Sequence, residues 1–135
     1  MNHIRASVMA LATLVTVLAW TASADAHPLA TQGTDVTVTA GKPSTFAFTL
    51  STKTVKTGSV TFNVTNKGSI PHTFKVCTSN KGGSANSCAG KGTASISPGK
   101  SATLTIAFST KGTYEYLCTI PGHAAAGMKG ELTVT

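Results

Sequence analysis

Apolar side chains alternate with polar ones, mostly threonine, along much of this chain. The clearest alternating sets are Val36 and Val38, then Val60, Phe62 and Val64, then Leu104, Ile106 and Phe108. Successive side chains of a β-strand point to opposite faces of the sheet, so this alternation is typical of strands with one buried face. Because no helix-forming run follows residue 26, the pattern predicts an all-β fold, with strands paired in antiparallel sheets.

Turn-forming residues separate these alternating segments. The separators are Gly41-Lys42-Pro43, Lys56-Thr57-Gly58, Asn66-Lys67-Gly68, Ser97-Pro98-Gly99-Lys100 and Lys111-Gly112. Seven to eight short strands in about 100 residues indicate a β-sandwich or a small barrel. The segment from Ser79 to Gly92 is rich in Gly, Ser, Asn and Lys. Because it has few apolar residues to bury, we expect it to be an exposed loop.

The first 26 residues have the order of a secretory signal peptide. Arg5 supplies the positive charge, an apolar stretch runs from Val8 to Trp20, and Ala24-Asp25-Ala26 offers a cleavage site. The apolar stretch is short for a membrane span, which needs about 20 residues. We therefore expect residues 1–26 to be removed, with an uncleaved anchor as the alternative. Residues 27–135 then form one exported domain, periplasmic or secreted, that does not require a membrane.

The net charge of +7 restricts the class of partner. After residue 26 it arises from ten scattered lysines and three acidic residues, with no arginine. Nucleic acid is not expected, because arginine is the side chain that recognises bases and phosphates with paired hydrogen bonds. The acidic residues Asp35, Glu115 and Glu131 are all interpreted as outward-facing, so no facing carboxyl pair for acid–base catalysis is predicted. The simplest interpretation is a solvated, mildly basic surface, and the more specific one is attraction of an acidic partner or an anionic membrane surface.

Three cysteines remain in the predicted mature domain: Cys77, Cys88 and Cys118. Thiols pair in oxidising compartments, so an odd number leaves one cysteine that needs another role. A Cys77–Cys88 bridge would close the Gly/Ser-rich loop and stabilise it by about 2–3 kcal/mol in the chain-entropy model. Spacing alone also permits pairing of either cysteine with Cys118.

A thiol, an imidazole and a thioether recur at five-residue intervals in Cys118, His123 and Met128. Pro121 and Gly122 force turns between them, so the three side chains can converge on one point. Sulfur and imidazole ligands select copper or zinc, and the thioether favours copper, because two His, one Cys and a weak Met form the blue-copper set.

The second histidine of such a set is His72. In the alternating pattern of its strand, this residue falls on the side that is predicted to face the core. The other candidate, His27, lies at the predicted mature N-terminus. Taken singly, a Met, a Cys or a His at these positions is more often an ordinary core residue. Taken together, in an exported chain with an odd cysteine, they indicate a metal site.

With these motifs the chain resembles the cupredoxins, the small blue-copper proteins that include plastocyanin, azurin and rusticyanin. The resemblance is carried by Asn66-Lys67-Gly68-Ser69-Ile70-Pro71-His72 and by the loop from Cys118 to Met128. It implies a Greek-key β-sandwich that holds one type 1 copper ion. The implied ligands are His72, Cys118, His123 and a long axial Met128. Pro71 before the first His resembles plastocyanin, and Thr73 and Thr119 are expected to tie the two ligand segments together.

The implied function is one-electron transfer between redox partners by a monomeric protein that is not an enzyme. The electron is expected to leave at the His123 edge, inside a small uncharged docking patch formed by Ile70, Pro121, Gly122, Ala124 and Ala125. The partner, such as a cytochrome or a copper oxidase, is expected to be acidic. Copper buffering or delivery is the main alternative, and a metal-free interaction module is another. A copper enzyme is disfavoured, because no further His cluster offers a second copper site.

Overall fold

The structure is a computed structural model that describes residues 33–82 and 88–135. The predicted signal peptide and the start of the predicted mature domain lie outside these residues. The described chain contains nine strands and no helix, so none that could cross a membrane. The strands are β1 (Thr34–Ala40), β2 (Phe48–Leu50), β3 (Thr54–Val55), β4 (Gly58–Asn66), β5 (Lys75–Cys77), β6 (Gly90–Gly92), β7 (Ser101–Phe108), β8 (Gly112–Leu117) and β9 (Lys129–Val134).

Two sheets pack face to face. One has the order β2-β1-β4-β7 and the other has the order β3-β9-β8-β5-β6. The alternating sets of the sequence supply the layer between them, with Val36, Val38, Val60, Phe62 and Val64 each fully buried. Full burial of such a side chain stabilises the fold by about 1.5–3 kcal/mol. The predicted all-β sandwich is therefore confirmed.

Two strand pairs differ from the antiparallel prediction. β1 runs parallel to β4, with Ala40 opposite Asn66, and β3 runs parallel to β9. The alternation in the sequence does not distinguish the two cases, because a strand buried on one face alternates whichever way its neighbour runs. Strands of two or three residues, such as β3 and β6, raise the count above the predicted seven to eight. β6 also lies within the segment that was expected to be only a loop.

The outer face of β8 is covered, which was not expected. Glu115 lies on this outer face, opposite to the core residues Tyr114 and Tyr116, as expected. It is nevertheless only 4% exposed, and Leu117 on the same face is fully buried, so the expectation that Glu115 is a surface residue was wrong. Leu117 packs against the disulfide cysteine Cys77 and against Ala124. Glu115 lies 4.0 Å from the ammonium nitrogen of Lys129, which is placed diagonally to it on the adjacent strand β9. The segment after β5 runs beside β8, where Lys81 forms a β-bridge with Thr113 and the Thr113 N–H donates to the carbonyl of Asn80 (2.9 Å).

One end of the sandwich collects the residues that carry the sequence motifs. The parallel strands β1 and β4 both finish there, and the loops that follow them touch. Phe46 and Phe48, which enter β2, pack at the same end against Cys118, Met128 and Ala40. The predicted ligand side chains therefore meet where several loops converge on one end of a rigid scaffold.

Candidate metal centre

The loop between β8 and β9 is closed by its own backbone hydrogen bonds. The Cys118 N–H donates to the carbonyl of Met128 (3.0 Å), and the Met128 N–H donates to the carbonyl of His123 (3.0 Å). Within the loop, His123 N–H also donates to Ile120 (3.1 Å). The backbone thus brings the two ends of the loop together and turns its central histidine back toward them.

His72 enters the same end from the other side, on the segment between β4 and β5. Its backbone exchanges two hydrogen bonds with Ile96, at 3.1 and 2.7 Å. The side chain of Asn66 organises the turn before it, donating from Nδ2 to the carbonyls of Ile70 and Ile96 (both 2.8 Å). Its Oδ1 accepts a hydrogen bond from Gly68 N–H (2.9 Å). The sequence analysis assigns Asn66 only to a turn. The feature that indicates its positioning role is an asparagine at the end of a strand, on the side that the alternation predicts to be buried.

Three nitrogen and sulfur atoms converge between these two segments. His72 Nδ1 lies 3.3 Å from His123 Nδ1, and Cys118 Sγ lies 3.5 Å from the same atom of His123. The ligand atoms of the three residues all lie within 4.8 Å of one another. His72 and Cys118 are fully buried, and His123 is partly exposed.

Met128 completes the group. It is fully buried and packs in one cluster with Cys118. Two imidazoles, one thiol and one thioether, largely shielded from water, are the donor set that suits a type 1 copper ion. The residues present therefore fit the copper that the sequence implies, and the four side chains are arranged as a type 1 site.

A single threonine links the two ligand segments. Thr73 N–H donates to Cys118 Sγ (3.4 Å), and the Thr73 hydroxyl lies 3.6 Å from the same sulfur. That hydroxyl oxygen also accepts a hydrogen bond from Thr119 N–H (2.7 Å) and lies 2.8 Å from the Thr119 hydroxyl. The predicted tie between Thr73 and Thr119 is thus present as a contact beside the thiol.

The far side of the His72 ring is covered by two glycines. Its Nε2 atom is buried and has no hydrogen-bond partner among the described residues. A Cβ atom would lie 3.3 Å from Nε2 if built on Gly41, and 3.1 Å if built on Gly68. Burial lowers the pKa of His72 below its ordinary value of 6.5, and the neighbouring His123 lowers it further. Both effects favour the neutral form of the ring, which is the form that binds a metal.

The surface around His123 includes most of the predicted docking patch. Pro121, Gly122 and Ala125 are exposed and Ile70 is partly exposed. Pro71 is exposed as well. Ala124 differs from the expectation, because it is only 2% exposed and packs under the loop against Cys77 and Leu117. Alanine is small enough to face either way, so the sequence did not reveal this inward position.

The predicted disulfide is present between Cys77 and Cys88, with a sulfur–sulfur distance of 2.07 Å. Cys118 is the cysteine that remains as a thiol, and it is buried. The two sulfur groups lie in different packing clusters: Cys118 with Met128, and the disulfide with Leu117. Since Leu117 and Cys118 are consecutive, they point to opposite faces of their sheet.

Comparison with known proteins adds a family to this geometry. The sequence model of the copper-binding proteins of the plastocyanin/azurin family matches residues 33–135. Auracyanin-B of Chloroflexus aurantiacus is 54% identical over 43 residues, which are 32% of this chain and 18% of that protein. The copper-resistant cuproprotein CopI of Pseudomonas aeruginosa is 54% identical over 39 residues, 29% of this chain and 22% of that protein. Each match thus spans about a fifth of the relative's length.

Solved structures agree over a longer stretch. Auracyanin B superimposes with a TM-score of 0.60 at 27% identity, covering 76% of this chain and 88% of that one. Rusticyanin from Thiobacillus ferrooxidans gives a TM-score of 0.52 at 31% identity, covering 75% of this chain and 76% of that one. These structural matches cover about three quarters of this chain, whereas the two sequence matches cover 32% and 29% of it.

Proposed function

Because this chain belongs to the plastocyanin/azurin family of copper-binding proteins, we propose that it carries single electrons between redox partners. The observation that carries the proposal is the convergence of His72, Cys118 and His123 within 4.8 Å beside a buried Met128. Bound copper would supply the one-electron couple between Cu(I) and Cu(II). The proposed ligands are these four residues, with the thioether as the weak axial one.

The residues around the ligands are suited to electron transfer rather than to catalysis. His72, Cys118 and Met128 are fully buried, so water has little access to three of the four ligands. Backbone hydrogen bonds and Thr73 hold the ligand segments in place. The ligands therefore move little when the redox state changes. We infer that the protein is a carrier and not an enzyme.

His123 is the ligand through which a partner can approach the site most closely. Its ring is partly exposed and packs edge-on against Phe46, with ring centroids 5.0 Å apart. The exposed residues beside it, Pro121, Gly122 and Ala125, carry no charge. We infer a brief, small-area contact with a redox protein such as a cytochrome or a copper oxidase, with surrounding lysines attracting an acidic partner.

Export to the periplasm or the cell exterior is part of the same proposal. It is supported by the signal-like order of residues 1–26 in the sequence and by the Cys77–Cys88 disulfide. Disulfides persist in oxidising compartments and are rare in the cytosol. The exported domain would comprise residues 27–135 and act as a monomer.

The visible spectrum of the copper-loaded protein tests the proposal. We expect Cu(II) to give an intense thiolate-to-copper band that disappears on reduction and is absent from Cys118→Ser. The double variant Cys77→Ala/Cys88→Ala is the matched control, because it removes sulfur outside the site and should keep the band. A colourless wild-type protein, or a band that survives in Cys118→Ser, would show that the proposal is wrong.

Copper buffering or delivery is the second candidate. It is favoured by the 39-residue match to a protein named as a copper-resistant cuproprotein. A carrier should cycle its potential reversibly and keep its copper in the presence of a competing Cu(I) chelator. A delivery protein should instead lose Cu(I) to the chelator within minutes at equimolar concentrations. The rate of copper loss after reduction therefore separates the two functions.

A further inference from the structure

A polar pocket of about 440 Å³ lies between the loops that follow β1 and β4. Because these strands are parallel neighbours, both loops leave the same end of the sheet. The Lys67 N–H donates to the carbonyl of Ala40 (2.9 Å), which holds the loops side by side. Lys42 and Lys67, distant in sequence, therefore both line this pocket.

The lining of the pocket is suited to a negatively charged group. Besides the two lysines it includes the hydroxyl side chains of Ser44, Thr45 and Ser69, all of them exposed. None of the acidic residues of the described chain lines it. Ammonium and hydroxyl groups together donate the hydrogen bonds that phosphate and carboxylate oxygens accept.

The floor of the pocket lies directly against the metal centre. Gly41 and Gly68 line the pocket and also cover His72 Nε2, a buried atom that has no hydrogen-bond partner within residues 33–82 and 88–135. His72 Nδ1 is the ring nitrogen that lies 3.3 Å from His123 Nδ1. If His72 binds copper through this atom, the ring proton is on Nε2. This proton then points toward the two glycines and the positively charged pocket beyond them.

We propose that this pocket binds an oxyanion, and that the bound oxyanion lowers the reduction potential of the metal centre. A negative charge on the far side of His72 favours the more positive Cu(II) form, so the anion should bind the oxidised protein more tightly. Coupling of this kind is reciprocal. Only the redox half rests on the proposed function, because anion binding itself needs no metal.

Titration of the copper-free protein with inorganic phosphate at constant ionic strength tests the pocket itself. We expect saturable shifts of the backbone amide resonances of Gly41, Gly68 and Ser69. Lys42→Gln and Lys67→Gln should each weaken binding about threefold, as expected for exposed ion pairs. Lys111→Gln, the same charge change on an exposed residue at the opposite end of the sandwich, should have no effect. Non-saturable shifts, or equal affinities in all variants, would overturn the proposal.

The potential of the copper-loaded protein tests the coupling. If phosphate binds the Cu(II) protein about threefold more tightly, saturation lowers the potential by about 28 mV, at 59 mV per tenfold for one electron. The phosphate concentration needed for half of this shift should rise about ninefold in the Lys42→Gln/Lys67→Gln double variant, from two threefold losses, and stay unchanged in Lys111→Gln. A constant potential while phosphate saturates the pocket would overturn the coupling. If the protein takes up no copper, the proposed function is refuted. The phosphate titration of the copper-free protein still decides whether the pocket binds an oxyanion.

A tetraglutamate peptide distinguishes the two sources of such an oxyanion. Tighter binding of the peptide than of phosphate, with the same lysine dependence, assigns the pocket to the carboxylates of an acidic partner protein. Tighter binding of phosphate assigns it to a free ion. Both results support an oxyanion site, and failure of both probes to bind excludes one.

Discussion

One hydroxyl group beside the thiol holds two ligand segments together. The Thr73 oxygen accepts a hydrogen bond from Thr119 N–H at 2.7 Å and lies 3.6 Å from Cys118 Sγ. Thr73 is 9% exposed, so water has little room to replace the hydroxyl if it is removed. A side chain with this position affects both the stability of the fold and the electron density on the sulfur.

We expect Thr73→Val to lower the free energy of unfolding by about 1–2 kcal/mol, because the Thr119 amide loses its acceptor. It should also lower the reduction potential, since the thiolate loses a polar neighbour that withdraws electron density. Urea unfolding and a redox titration measure the two effects. Thr105→Val, which removes a similar contact to Thr61 (3.1 Å), is the control and should leave the potential unchanged. An unchanged potential in Thr73→Val would contradict the assigned role.

Asn66 shows how far a buried amide can determine the shape of a turn. It is fully buried and makes three hydrogen bonds to the backbone around His72. Asn66→Ala removes all three hydrogen bonds, although the Ile96 carbonyl keeps its bond from the His72 N–H. We therefore expect a loss of about 2–4 kcal/mol in the free energy of unfolding. Asn63→Ala, on the exposed face of the same strand, should cost less than about 0.5 kcal/mol. Similar losses in the two variants would refute this account of the turn.

The sequence predicts the donor atoms at this scale better than their surroundings. A Cys, a His and a Met at five-residue spacing can be recognised as metal ligands from their donor atoms alone. Asn66 and Ala124 do not, because an amide or a methyl group acquires its role from the groups that tertiary packing places around it. Ala124 became part of the layer under the loop only because the disulfide and Leu117 lie there.

Two loops that follow parallel strands form the wall behind His72. Gly41, in the first loop, has a positive φ of 76° and makes close contact with Gly68 in the second. A Cβ atom on Gly41 would lie 2.5 Å from the Cα atom of Gly68, which is backbone and cannot rotate away. The approach of the two loops, and with it the cover over His72, depends on this missing side chain.

We expect Gly41→Ala to destabilise the fold more than Gly99→Ala. Gly99 has a similar φ of 74°, but a Cβ atom there would meet nothing within 4 Å. Gly99→Ala, the control, therefore loses only the conformational cost of about 1–2 kcal/mol in the free energy of unfolding. Gly41→Ala loses this amount and, in addition, the cost of the steric clash. Thermal unfolding of both copper-free variants measures the difference. Equal losses would mean that the loops can separate without cost.

The strands themselves were predictable, and their partners were less so. Alternation locates β1, β4 and β7 because burial of one face leaves a period of two in the sequence. Parallel pairing of β1 with β4 depends on contacts between distant segments, so it cannot be inferred from the alternation. The burial of Glu115 was missed for the same reason, since the groups that cover the outer face of β8 are brought there by tertiary packing.

The whole molecule is a cation with an uncharged area around the partly exposed ligand. Ten lysines and three acidic residues give the described chain the net charge of +7. Such a field raises the local concentration of anions and accelerates their encounters with the protein at low ionic strength. The effect belongs to the sum of all charges and not to any single lysine.

Electron transfer to small reagents should show this field directly. Raising the ionic strength from about 0.01 M to about 0.15 M shortens the Debye length from about 30 Å to about 8 Å. We expect oxidation of the reduced protein by ferricyanide, an anion, to slow severalfold over this range. Oxidation by tris(phenanthroline)cobalt(III), a cation, should accelerate and serves as the matched control. The same salt dependence for both reagents would contradict electrostatic steering, and stopped-flow absorbance gives both rates.

The position of the disulfide on the opposite face from Cys118 has a consequence for how the protein matures. Three cysteines allow three pairings, and only the Cys77–Cys88 pairing leaves Cys118 able to bind metal. In the finished fold Leu117 and its sheet separate the two sulfur groups, so the native thiol does not attack the bridge. Exchange of Cys118 with a wrongly formed bridge therefore requires the sandwich to open, and a chain in which Cys118 is paired lacks the thiolate that copper needs.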